Sequence, residues 1–135
     1  MKGIENWFAL QKIFGEDITL ADSMIENSIL DAIAGKMSLD IVVSHEVKNP
    51  PIKWKEWEKV YLKIDFFCIK EAQSFVNNGP FEIGVFTISE KENRYELNIQ
   101  GKKNDRIGCM FAVGRIQNIK PLVCNPKTNR YEVNS

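Results

Sequence analysis

Ile4, Trp7, Phe8, Gln11 and Phe14 recur at the three-to-four-residue spacing of one helical face, and Gly15 follows as a stop suited to a left-handed cap. The spacing predicts an amphipathic helix over Ile4 to Phe14 whose apolar stripe, bordered by Trp7 and Phe8, faces the protein's own core. The next stretch, Asp22 to Ala34, carries two signals. Ser23 with Glu26 imitates a capping box, and Met24, Ile25, Ile29, Ala32 and Ile33 fit a helical stripe closed by Gly35. Ile25, Ile29 and Ile33 also fall on one face of an extended strand that turns at Ala34-Gly35-Lys36 into the alternating Met37-Ser38-Leu39-Asp40-Ile41. The hairpin is the reading adopted.

From there the period of two is plain. Val60, Leu62, Ile64 and Phe66 alternate with Tyr61, Lys63, Asp65 and Phe67, as in a central strand with one buried face. Phe81, Ile83, Val85 and Phe86 to Ile88 predict another strand, and Tyr95, Leu97 and Ile99 a third, joined through the polar Glu90 to Arg94 turn. Ile107 to Val113 and the run through Ile116 and Ile119 to Pro121 fit two more, with Gly108 and Gly114 marking bulges or bends. After Cys124 a polar turn leads to Tyr131 and Val133, an exposed tail or an edge strand. About seven or eight strands with hairpin-length connections exclude a β-α-β plan, because parallel strands need long helical crossovers. The expected class is α+β and mainly β: one N-terminal helix with a strongly bent antiparallel sheet or partly open barrel.

Length and composition narrow the function classes. A chain of 135 residues suits one domain over residues 1–135 with its own core. Eighteen basic residues balance eighteen acidic ones, which disfavours general nucleic-acid binding and attraction to an anionic membrane. Apolar runs such as Phe66-Phe67-Cys68-Ile69 are too short to span a bilayer, and Met1 to Leu10 lack a signal-peptide pattern, so the expected location is the cytoplasm. Cys68, Cys109 and Cys124 are odd in number and widely spaced, which fits neither a disulfide framework nor a zinc site; each is expected to be a buried, reduced thiol.

Candidate chemistry is sparse. His45 is the sole histidine, so any triad, proton shuttle or cysteine-histidine dyad must pass through it, against the plainer reading of a surface side chain. The carboxylate pairs Glu16-Asp17 and Glu56/Glu58 lie in polar turns, where solvated acids make poor catalysts. No phosphate-binding glycine loop occurs. The chain is therefore read as a non-enzyme with no catalytic residue, no metal site and no cofactor.

One stretch departs from ordinary surface sequence, Asn49-Pro50-Pro51-Ile52-Lys53-Trp54-Lys55-Glu56-Trp57-Glu58-Lys59. Two prolines stiffen it, two tryptophans load it with apolar area, and charges of both signs flank them. Exposed tryptophans in a polar rim would form a protein-binding hot spot, making Lys53, Trp54, Lys55, Glu56, Trp57 and Glu58 the candidate partner-binding residues. The alternative is that Trp54 and Trp57 fold back to plug an open end of the sheet.

At this segment the chain resembles the immunity protein 50 family, small bacterial proteins that neutralise toxins of polymorphic toxin systems. The resemblance is carried by Trp7-Phe8 ahead of Phe14-Gly15, by Leu20-Ala21-Asp22, by Asn49-Pro50-Pro51 with Lys53-Trp54, and by the strand Val60 to Phe67 entering Ile69. Leu20 stands where a histidine would be expected in that pattern. The resemblance implies stoichiometric binding of a cognate protein toxin and transfers no residue roles. A second class is a small-molecule or lipid-binding β module, with Phe66, Phe81, Phe86 and Phe111 lining a cavity.

Overall fold

The computed structural model describes residues 1–134, and among them one helix and ten strands form a single open sheet. In chain order these are β1 (Ile4–Glu5), α1 (Trp7–Phe14), β2 (Met24–Asp31), β3 (Lys36–Val43), β4 (Lys59–Phe67), β5 (Lys70–Phe75), β6 (Phe81–Lys91), β7 (Arg94–Gly101), β8 (Arg106–Phe111), β9 (Val113–Asn125) and β10 (Arg130–Val133). The sheet runs β1-β9-β4-β3-β2-β6-β7-β8-β5, and β10 adds to β9. Every pairing is antiparallel except β1 with β9, so the sheet is mixed, with a few more strands than expected.

The helix begins later than its apolar spacing predicts. Ile4 pairs with Gly114 as a strand residue, and Asn6 takes a left-handed conformation (φ 67°) that breaks the chain before Trp7. Trp7, Leu10, Ile13 and Phe14 are buried. Phe8 is not: it is 56 % exposed, because one face of so short a helix holds only those four side chains against the core.

The segment with two signals is a hairpin, β2 to β3, yet its isoleucines do not share a face. A bulge between Ile25 and Asn27 shifts the phase by one residue. Ile25 is buried against Ile41, Ile29 lies half exposed beyond the bulge, and Ile33 projects from the turn.

Sharp corners give the sheet its curl. β4 runs into β5 across Cys68 and Ile69, β8 runs into β9 across Ala112, and the Ala112 N–H donates to Phe67 O at 3.1 Å. Because β4 pairs with β9 and β5 with β8, the four strands form one ribbon folded at that corner. The fold brings Phe66 of β4 edge-on to Phe111 of β8, with centroids 4.8 Å apart, and Tyr95 of β7 stacks on Phe111 at 5.5 Å. Gly108 pairs with Gln73 at the edge of the bulge in β5, whereas the extra residue in β9 is Gln117, three beyond Gly114. Gly114 serves close approach instead: a Cβ there would lie 3.0 Å from Gly3 O, on the chain entering β1.

The core fills the space inside the curl. Phe66, Phe81, Phe86 and Phe111 all belong to one buried cluster with Leu10, Leu39, Ile64 and Ile99; Phe66, Phe86 and Phe111 pack against neighbours, and of the four only Phe81 also borders surface cavities, of about 290 and 180 Å³.

Candidate functional site

The stretch between β3 and β4 crosses one end of the sheet and is held at several points. The N–H groups of Lys48 and Asn49 both donate to Ile13 O, at 2.9 and 3.0 Å, so two carbonyl lone pairs at the helix C-terminus find partners in this loop. The Trp54 N–H donates to Pro51 O at 3.0 Å, closing a turn behind the two prolines, and the Glu58 N–H donates to Leu122 O at 2.7 Å. Asn134 reaches across from the chain end and donates to Glu56 O at 2.9 Å. Proline stiffness and this anchoring leave the loop little conformational freedom.

The two tryptophans divide their roles. Trp54 is 8 % exposed and belongs to the core, where it plugs the end of the sheet. Trp57 packs against it with ring centroids 6.0 Å apart and stays partly open. Lys55, Glu56, Trp57 and Glu58 with Val123 border a shallow depression of about 370 Å³. Lys53, Lys55, Glu56 and Glu58 are exposed. Glu58 has a second task, since its Oε1 accepts the Cys124 N–H at 3.0 Å and ties the segment to β9.

Two apolar side chains missing from the sequence-derived set are prominent here. Ile52, beside the prolines, is fully exposed, and Phe8 stands on the exposed face of α1 with the Lys12 ammonium 5.4 Å from its ring centroid. Phe8, Lys12, Glu16, Asn49 and Pro51 line an open groove of about 900 Å³ between helix and loop. The aromatic spacing that placed Phe8 in the core hid it; the signal that could have found Ile52 was an isoleucine flanked by Pro51 and Lys53 with no alternating partner.

Elsewhere, several polar side chains have structural partners. His45 donates through Nε2 to Ala21 O at 2.7 Å, pinning the end of β3 to the chain before β2. On the outer face of β3 and β4, Ser38 donates to Asp65 Oδ1 at 2.6 Å and Tyr61 donates to Asp40. Burial first, then the Asp40 hydrogen bond and charge, push the Tyr61 phenol well above its usual value. Cys109 is buried, and desolvation pushes its thiol up to about 11. The expectation of three buried thiols fails for Cys68, which is exposed at the β4–β5 corner, and Cys124 is only partly covered. Among the described residues no three His, Cys, Asp or Glu side chains converge as metal ligands, and no helix is long and apolar enough to cross a membrane.

Fold and loop together define a small, mainly β protein that presents a pre-ordered, aromatic and charged loop beside an open groove. The family model described as Immunity protein 50 matches residues 6–122, and the chain belongs to that family. No curated protein and no solved structure matches it.

Proposed function

We propose that the protein is an immunity protein that binds and neutralises a cognate toxin of a bacterial polymorphic toxin system, one to one and without catalysis, in the cytoplasm. The observation that carries this reading is the family match over residues 6–122. An immunity family implies a protein toxin as partner and acts in general without enzymatic chemistry. Nucleic acid and membrane are not among the proposed partners.

The loop supplies the first contact surface. Trp57 at its depression, exposed Ile52 and Phe8 across the groove are the apolar anchors, and Lys53, Lys55 and Glu56 form the charged rim that sets orientation and specificity. Trp54 supports the surface from below, and Glu58 holds it to β9. Co-expression with a candidate toxin encoded beside the gene tests the reading. Wild type should restore growth, whereas Ile52→Asp with Lys53→Glu and Lys55→Glu should lose protection while keeping its thermal midpoint. Full protection by the triple variant would remove the loop from the interface. No protection by wild type would remove the immunity function.

A further inference from the structure

At Met24 and Ile25 the strand β2 is paired on both sides, with β3 and with Phe81 and Glu82 of β6. Glu26 is the bulge residue, and from Asn27 to Asp31 the strand pairs, among the described residues, with β3 alone. The chain that would continue the second pairing, residues 76–80, turns away into β6, and among the described residues it makes no backbone hydrogen bond to β2. β5 ends the sheet path on the other side and pairs only with β8. The curled sheet is therefore open along a slot, where Asn27, Ser28, Val76 and Gly79 border a cavity of about 180 Å³.

Such an edge is a template for another strand unless lysine, proline or a covering element blunts it. β2, with the sequence Met-Ile-Glu-Asn-Ser-Ile-Leu-Asp, contains neither lysine nor proline. Ile29 and Leu30 on the edge, Phe75 at the end of β5 and Val76 just after it are 41 to 60 % exposed. The charges of β2 are Glu26 and Asp31, both acidic. A second copy offering the same edge would bring two more carboxylates and no base to the seam, whereas a basic strand would complement it.

We infer that the free edge of β2, Glu26 to Asp31, receives an extended segment of the protein partner as an added strand. The inference rests on the immunity reading above. The incoming strand makes main-chain hydrogen bonds along the edge, sets one apolar side chain beside Ile29 on one face and the next beside Leu30 on the other, and carries Lys or Arg near Glu26 and Asp31. The slot runs beside Lys36 to Asp40 of β3, whereas the Ile52 loop follows the end of β3 at Val43, so the two surfaces use different residues and are separable by mutation.

The probe is the candidate toxin domain used in the co-expression test, purified and mixed with the full chain. Amide hydrogen exchange across residues 26–31 should slow by roughly tenfold or more in the complex. Ile29→Lys with Leu30→Lys should weaken the dissociation constant by roughly tenfold or more with an unchanged thermal midpoint, while Ile33→Lys in the turn should not. Wild-type binding with unaltered exchange at 26–31 and full affinity of the double lysine variant would overturn the added strand and leave the immunity reading standing. Protection of 26–31 in a dimer formed without toxin would overturn it in favour of self-association. Absence of wild-type binding would overturn both. The exchange measurement needs no variant, so a misfolded substitution does not decide the matter.

Discussion

Cys68 and Cys109 carry the same functional group in opposite surroundings. Cys68 sits at a corner in a left-handed conformation (φ 55°), exposed, with its carbonyl accepting from Arg94 Nη1 at 2.8 Å and Nη2 at 3.1 Å. Cys109 lies in the core with its thiol pushed up to about 11 by burial. A mild thiol reagent at pH 8 should modify Cys68 within minutes and reach Cys109 only on unfolding, as peptide mass spectrometry would show. Modified Cys68 should leave binding at the Ile52 loop intact. Tyr61 adds a pH dependence. Its phenol is held protonated by burial and by Asp40, so the folded value lies above the ordinary 10.0 of the unfolded chain. Stability from this group is complete below that value and drains as pH rises past it. Thermal midpoints measured from pH 9 to about 12 should therefore fall more steeply for wild type than for Tyr61→Phe.

Whole elements differ in how far sequence revealed them, for physical reasons. β4 was legible because Val60, Leu62, Ile64 and Phe66 are fully buried while their neighbours face outward, so burial imposes the period of two directly. β5 was not read as a strand at all: only Ala72 of its six residues is even partly covered, so nothing imposes alternation on Lys70–Phe75. β1 was absorbed into the helix because Ile4 is buried in either reading, and the break between them falls at a left-handed Asn6, with no glycine or proline at that point to signal it. In β2 the bulge put a helical-looking phase into an extended segment. The loop was legible as unusual through its prolines and tryptophans, but which tryptophan remained open depended on the sheet end beneath it. β10 is exposed along its whole length, yet it holds Asn134 against Glu56. A chain ending at Asn125 should keep its fold and lose a few degrees of thermal midpoint, with tryptophan emission shifting to the red as the segment around Trp57 loosens. An unchanged emission maximum would show that β10 does not order the loop.

At the scale of the whole molecule, no strand group closes on its own. β2 links the two halves of the sheet through only two residue pairs, but the folded ribbon of β4, β5, β8 and β9 crosses between them and one buried cluster spans both. Residues 1–135 are expected to unfold as one cooperative unit, with far-ultraviolet circular dichroism and tryptophan fluorescence following a single curve in urea. Two separated transitions would mark the halves as independent.

The parallel pairing of β1 with β9 has a consequence for synthesis. The first elements made are anchored by nearly the last: Asn6 Nδ2 donates to Ile116 O, 110 residues later, and Ile4 lies beside Gly114. At translation rates of about 5–20 residues per second, Trp7, Leu10 and Phe14 wait roughly 5–20 s for the strand that will cover them. Long-range closure of this kind is also slow once the chain is free. A premature stop anywhere before Ile116 thus leaves the beginning of the protein without its anchor, and only chains that extend through β9 carry both the Ile52 loop and the sheet beneath it.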